Sequence, residues 1–565
     1  MEFRRVLFRS VAGTFSIDNT FLESRRGIND MYNNAQRMWV NPNTGAIEYE
    51  QPINGGTQLD FTESIRWSTQ AGSVDLGRTY RRIYYSGQAN YARTFGKHNV
   101  TALGLFSREQ YATGGEFPRY REDWVFRLTY NYLSRYFAEI NGAYNGSEKF
   151  GPDNRFDFFP SFSAGWMLSD ESFMKSIKFL DMLKLRASWG RIGDDSVGGR
   201  FLYQDQWAFS GNAIMGSPAS NTPYTFYRIT TLGNPNVAWE TVEKRNFGME
   251  YSFLKGLISG SVDVFNDKRT DILVSGGSRA IPSYFGATPP VANLGSVKSQ
   301  GYELEAKLNH SFDNGIRVWG NASMTHATNE VLFRDDPQLL AAHRKAQGYA
   351  IGQTKTYIDG GFIQSWDDLY GSTAGEANNQ NKLVGDYNIL DFNGDGVINA
   401  DDQAPYQYTG VPENTYTASL GAEWKGFSVF VRFYGVNNVS REISFPSFHS
   451  TSNVAFVEGD YWSPITGGDI TYPRITTTTA TGANGTRYWY DGSYLRLKNA
   501  EVAYTFTGKW IKKLKMKSCR IYLNGDNLLL WTKMPDDRES NFSGSSSFGA
   551  YPTVRRFNIG FDITL

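Results

Sequence analysis

The chain has 565 residues, 15% of them aromatic, with 57 glycines and one cysteine, Cys519. Lys+Arg and Asp+Glu stand at 57 each, so no net charge directs it to nucleic acid. A single cysteine excludes an intramolecular disulfide framework. Mean hydropathy is −0.46, and no apolar run approaches the roughly 18 residues of a membrane helix. A membrane β-barrel can be this polar, because half of each strand faces a wet lumen.

The first ten residues are read as an artefact. Leu7-Phe8-Arg9-Ser10 is what the sequencing adapter CTCTTCCGATCT encodes, and the alternative is a genuine basic N-terminus. On the adapter reading the chain is a fragment, and the missing signal peptide carries no weight. Ala12–Phe21 reads as a strand and Arg25–Pro52 as a polar loop. Regular alternation starts at Asp60: Phe61–Ser68, Tyr84–Phe95, Val100–Arg108, Trp124–Tyr132, Tyr136–Tyr144 and Phe159–Leu168. A short helix is expected over Asp170–Leu180, then strands at Leu183–Ile192, Arg245–Phe253 and Ile258–Leu273.

Gly301–Asn329 shows the repeating unit. Tyr302, Leu304, Ala306 and Leu308 alternate with Glu303, Glu305, Lys307 and Asn309. Asp313-Asn314-Gly315 reverses the chain, and Ile316, Val318, Gly320 and Ala322 resume the period of two. Tyr416–Trp424, Phe427–Val436, Tyr494–Phe506, Cys519–Leu530 and Val554–Leu565 complete the set, with a bulge expected inside Tyr494–Phe506. Short turns at Gly96, Ser134, Gly256, Gly315 and Gly426 alternate with long loops over 194–240, 274–298, 331–414, 440–493 and 532–553. Alternation of this kind is expected of outer-membrane barrels, with short periplasmic turns and long extracellular loops.

With the strands placed, the chain resembles the C-terminal part of SusC/RagA-type TonB-linked outer-membrane receptors. The resemblance rests on Asn293–Val297 before Gly301–Leu304, Arg155–Ser161 with Gly165-Trp166, and Leu185–Gly193. Leu232–Pro235 with Trp239-Glu240, the aspartate loop below, and Tyr494–Asn499 belong to it too. It covers nearly everything after residue 10. It implies an all-β transmembrane antiparallel barrel in residues 11–565, with about 16–17 of about 22 strands present and the plug domain missing. One departure is the C-terminus, Leu565, where such barrels often finish on an aromatic; Phe561 is the nearest candidate. The implied function is TonB-driven import of oligosaccharides or peptides with a SusD-like surface lipoprotein. The implied home is the outer membrane of a Gram-negative, Bacteroidetes-like cell. The alternative is a passive pore or surface ligand-binding barrel without energy coupling.

Asp391–Asp402, DFNGDGVINADD, has the spacing of a calcium loop. Asp391, Asn393 and Asp395 stand at positions 1, 3 and 5, Val397 offers its carbonyl at 7, Asn399 stands at 9 and Asp402 at 12. Asp replaces the usual Glu at 12, and hard oxygens without His or Cys favour Ca²⁺ in a structural role. The alternative is a surface turn that binds nothing. Trp207, Trp366, Trp462, Trp489 and Tyr490 are candidate ligand-binding aromatics, their faces suited to sugar rings; the alternative for each is loop packing. Trp424 and Phe427 read as girdle residues. No catalytic motif is present: there is no GxSxG, HExxH or Walker loop, and the five histidines lack ligand spacing. Asp335-Asp336 and Asp536-Asp537 read as solvated loop charges. An enzyme is not expected.

An incomplete barrel leaves two strand edges that hydrocarbon cannot satisfy. The chain as written is therefore expected not to refold in detergent as a closed, heat-modifiable monomer, and a heat-dependent shift on a gel would show otherwise.

Overall fold

The computed structural model describes residues 8–24, 27–29, 38–49, 67–69, 73–114, 116–196, 198–212, 224–371, 382–443, 462–465, 474, 485–535 and 553–565. Sixteen strands form one antiparallel sheet in chain order. They are β1 (Phe8–Thr20), β2 (Tyr80–Phe95), β3 (His98–Thr113), β4 (Arg119–Tyr132), β5 (Tyr136–Ser147), β6 (Phe156–Met167), β7 (Leu180–Asp194) and β8 (Glu240–Phe253). The second half is β9 (Ile258–Val274), β10 (Ala292–Ser311), β11 (Arg317–Phe333), β12 (Asn414–Trp424), β13 (Phe427–Asn437), β14 (Tyr494–Phe506), β15 (Ser518–Thr532) and β16 (Arg556–Thr564). Two compact units divide the chain: Ser10–Ala89 with Gly104–Trp124, and Asn90–Leu103 with Val125–Leu565. The candidate sites discussed below lie in the second.

Register across this sheet separates two chemistries with a one-residue offset. One row of cross-strand partners runs Leu185, Met249, Val262, Leu304, Met324 and Tyr416. The adjoining row, on the opposite face, runs Lys184, Glu250, Ser261, Glu305, Ser323 and Thr417. Because side chains alternate with period two, this offset puts the charges of the second row on one face. The apolar face leaves Phe247, Val264, Leu420, Val502, Leu523 and Ile559 exposed to more than a third of their area. So continuous an apolar surface is what a lipid-facing wall needs and what a water-facing one avoids. On the polar face Arg186 binds Asp263 at 2.6 Å and Glu250 at 3.5 Å, and Lys184 reaches Glu250 at 3.6 Å.

Short turns close one end. Lys425-Gly426 joins β12 to β13 with φ of +46° and +91°, and a Cβ on Gly426 would lie 2.6 Å from the Thr505 carbonyl oxygen. Only glycine meets both demands there. The bulge in β14 is present. Arg432 pairs with Asn499 and Phe433 with Leu497, leaving Lys498 unpaired, and the register towards β15 shifts at the same place.

Several expectations change. The strands run longer than their alternation implied, since β10 extends from Ala292 to Ser311 and β3 from His98 to Thr113. Backbone pairing does not stop where apolar alternation does. No α-helix forms over Asp170–Leu180; a single 3₁₀ turn spans Leu168–Asp170, with hydrogen-bonded turns after it. Within Arg25–Pro52, short ladders join Gly27–Asn29 to Trp67–Thr69 and Met38–Val40 to Ile47–Tyr49. The alternation of loop length is looser than strict: the connections 114–118 and 148–155, at the long-loop end, are short, while 507–517, at the short-turn end, carries the helix Lys509–Lys513. The expected strand at Phe61–Ser68 lies mostly outside the described residues, as does Asp536-Asp537.

Trp319 lies flat over Gly421 on the neighbouring strand and stacks on Phe430 at 5.6 Å. A Cβ on Gly421 would stand 2.3 Å from the indole ring. Gly421→Ala is therefore expected to cost about 1–3 kcal/mol by overpacking. Gly104→Ala, where a Cβ meets open space, serves as the control. Thermal melting of the two variants separates them.

Candidate functional site at the loop end

The aspartate loop follows a short strand, Tyr387–Ile389, and ends in a 3₁₀ turn, Ala400–Asp402. Gly394 and Gly396 take positive φ, which wraps the backbone around the Asp391 carboxylate. Asp391 Oδ1 accepts the N–H of Gly394 at 2.7 Å and of Asp395 at 3.2 Å, and Oδ2 accepts Gly396 at 2.7 Å. Asn393 Oδ1 accepts from the Asp395 amide, Asp395 Oδ1 from Val397, and Asn399 Oδ1 from Asp401. Asp402 is fully buried and ties the loop's ends together, accepting Phe392 N–H at 2.9 Å and Asn399 N–H at 2.7 Å. Ile398, at position 8, is buried beneath. All six expected ligand residues thus belong to one compact loop. Among the described residues, however, no three acidic, His or Cys side chains converge on one metal-sized point.

The amides, Gly396 first, hold the Asp391 carboxyl below the ordinary carboxylate range. A depressed folded pKa contributes stability that is complete above the unfolded value, about 3.9, and is lost as pH falls through the folded one. Protease sensitivity of the loop in metal-free buffer is expected to rise below about pH 4. Asp391→Asn should flatten that pH dependence.

A second cluster joins the loops 331–414 and 440–493. Phe362, Tyr387, Trp462 and Tyr488 are buried together, with Val384 and Tyr490 packed against them. Tyr387 and Tyr488 hydroxyls lie 2.9 Å apart, and Trp462 Nε1 donates to Gln364 Oε1 at 3.1 Å. Burial, reinforced by the Tyr387 hydroxyl, pushes the Tyr488 hydroxyl far above its usual pKa. Two ion pairs cross between the loops. Arg474 grips the buried Asp386 carboxylate through Nε at 2.8 Å and Nη2 at 3.1 Å. Arg487 meets Asp359 at 3.2 Å and covers the Phe362 ring at 3.9 Å.

The five candidate aromatics therefore separate. Trp462 and Tyr490 are packing residues of this loop core, and Trp489 pairs with Glu442 in a short ladder beside it. Trp366 stays exposed and stacks on Tyr370 at 6.3 Å. Trp207, 61% exposed, stands on a ribbon of Gln206–Asn212 and Thr225–Thr231, opposite Ile229 and beside Phe209 and Tyr227. Sequence reading missed Phe362, Tyr387, Tyr488 and both ion pairs. Partners about 90 to 130 positions apart leave no local signal.

A third cluster, Phe150, Phe159, Val237 and Trp239, explains the motifs that carried the resemblance. Asn234 Nδ2 donates to the Val291 carbonyl at 2.8 Å, and Trp239 Nε1 to that of Arg155 at 3.2 Å. Asn293 Oδ1 accepts Ala238 N–H at 3.0 Å while its Nδ2 donates to the Ala238 carbonyl at 2.9 Å. These motif residues hold loop bases in place.

Trp462→Ala should loosen the second cluster by about 3–5 kcal/mol, the usual cost of removing a buried Trp. Limited proteolysis within 331–414 is expected to quicken while strand melting stays unchanged; Trp207→Ala should alter neither.

The family model described as TonB dependent receptor-like, beta-barrel matches residues 4–528. TonB-dependent receptor P3 of Formosa agariphila is 25% identical over 560 residues, covering 92% of this chain and 53% of that protein. TonB-dependent receptor SusC of Bacteroides thetaiotaomicron is 23% identical over 475 residues, covering 77% and 43%. The solved RagAB peptide transporter superposes with a TM-score of 0.67 at 18% identity, covering 99% of this chain and 60% of that one, a likeness of fold. The chain spans about half the length of the curated relatives it matches. It belongs to the TonB-dependent receptor β-barrel family.

Proposed function

We propose that this chain is the barrel part of an outer-membrane receptor that imports oligosaccharides or peptides. Transport is driven through TonB, and a SusD-like surface lipoprotein helps to capture the substrate. The observation that carries the reading is the family match over residues 4–528, laid on a sheet with one apolar and one charged face. The apolar face suits outer-membrane lipid, and the polar face a wet translocation path. Relatives named as TonB-dependent receptors in Formosa and Bacteroides support a Bacteroidetes-like source. The exposed faces of Trp207 and Trp366 offer stacking surfaces at the loop end for sugar rings or peptide side chains.

The test is uptake by cells carrying the full-length gene. Deletion is expected to abolish uptake of the cognate substrate, and dissipating the proton-motive force in wild-type cells should do the same. Uptake that persists without that force would favour the passive pore.

The aspartate loop fits a structural Ca²⁺ by its chemistry. Side-chain oxygens of Asp391, Asn393, Asp395, Asn399 and Asp402 and the Val397 carbonyl would hold it, and the ion would supply charge neutralisation between carboxylates. Extracellular sites of this kind work at about 10⁻⁴–10⁻³ M. Calcium is expected to protect the loop from protease in the full-length receptor, and Asp395→Ala to remove that protection with the barrel intact. Cleavage unchanged by chelation in the wild type would reduce the segment to a turn.

A further inference from the structure

The apolar face carries a trough that neither import nor loop packing uses. Its floor is a row of small residues on three successive strands, Ala306, Ala322 and Ala418, each paired with the next. Leu304, Met324 and Tyr416 form one wall, and Phe433 and Leu495 line the trough at the far end. The space enclosed is about 440 Å³ and its lining is overwhelmingly apolar. Tyr251, whose hydroxyl donates to the Glu305 carbonyl at 3.2 Å, closes the β9 end. Two strand spacings give a length of about 10 Å.

Towards the long loops this face stops being apolar. His326 Nδ1 lies 2.7 Å from Asn414 Oδ1, and Asn414 Nδ2 donates to Asn437 Oδ1 at 2.6 Å. The Tyr416 hydroxyl donates to the same Asn437 oxygen at 3.1 Å, and Tyr302 stacks on His326 at 5.0 Å. Asn414 is buried, and its donation to Asn437 fixes its amide, so its Oδ1 must accept from His326 Nδ1. In the neutral ring Nε2 is left as an acceptor. A polar cluster on a lipid-facing wall, next to a trough, combines a headgroup site with an acyl-chain site.

We propose that the trough binds one acyl chain of a sugar-bearing lipid of the outer leaflet, with a headgroup hydroxyl donating to His326 Nε2. The occupant follows from position. The trough is continuous with the apolar face already read as lying against lipid, and the polar cluster borders its Leu304–Met324–Tyr416 wall on the long-loop side. The inference rests on the membrane reading of that face and not on import, so a failed uptake assay leaves it standing.

The test is native mass spectrometry of the full-length receptor, delipidated in mild detergent and titrated with purified lipid A. The wild type is expected to retain one lipid. Ala322→Phe with Ala418→Phe fills the trough and should weaken retention at least tenfold, with Ala322→Leu as the milder variant if assembly suffers. Asn414→Leu should weaken it several-fold. Ala164→Phe, on the same face of β6, should have no effect. Equal retention by all variants would mean annular lipid only and overturn the proposal. A wild type that binds no lipid, but whose dimers dissociate on filling the trough, would assign it to a second copy of the chain and also overturn it.

Discussion

Hydrocarbon offers no hydrogen bonds, and that one constraint organises this molecule. Every backbone N–H and C=O at membrane depth has to be paired within the protein, so each strand needs a neighbour along its whole buried length. The ladders from β5 through β15 meet that demand on both sides of each strand, and β16 pairs with β15 alone. Once pairing is continuous, the period of two has only one freedom left, its phase. The phase settles which face meets lipid, and a slip of one residue would put Glu250, Asp263 and Glu305 into the bilayer. The bulge at Lys498 shows how little slack exists. One extra residue in β14 is matched by a register shift towards both neighbours, so the apolar face is recovered within a single step.

The loops obey a different rule, because water is available to them and hydrogen bonding alone cannot hold them. They rely on burial. Phe362, Tyr387, Trp462 and Tyr488 make a small core far from the sheet's own apolar face. Its ion pairs are of the type that confers definition more than strength. Asp386 is almost wholly buried, and leaving it without Arg474 would cost far more than the pair contributes. The same economy appears in the aspartate loop, where Asp402 satisfies amides at both ends of the turn and so sets its closure.

This contrast explains what the amino-acid sequence revealed and what it withheld. The strands, the turn at Lys425-Gly426 and the bulge were legible because each is written within a few residues. Strand ends were less so: β10 keeps pairing back to Ala292, where the side chains no longer alternate. The aspartate loop was legible as a spacing, and its residues do gather. Its carboxylates nevertheless proved to be engaged by amides, which spacing alone does not predict. Trp462 read as a candidate ligand-binding residue because its burial depends on Phe362 and Tyr387, many positions upstream. The resemblance motifs pointed to the family for a structural reason: Asn234, Trp239 and Asn293 hold loop bases by side-chain bonds to backbone, which tolerate little substitution.

The polar cluster at His326 sits where these two rules meet. Within the apolar face a histidine or asparagine would be costly, yet Asn414, Asn437 and Tyr416 satisfy one another completely enough to be tolerated at its edge. Tyr302 adds an aromatic face of the kind found where one end of a side chain is dry and the other wet. The cluster therefore marks the level at which lipid tails give way to headgroups. Below it the wall needs only to be apolar; above it the chain is free to build loops with buried cores of their own. A hydrogen-bonded His–Asn–Asn–Tyr chain is more specific than that boundary requires, since unconnected Tyr or Trp would serve the interface as well. The surplus specificity is what a defined headgroup would use.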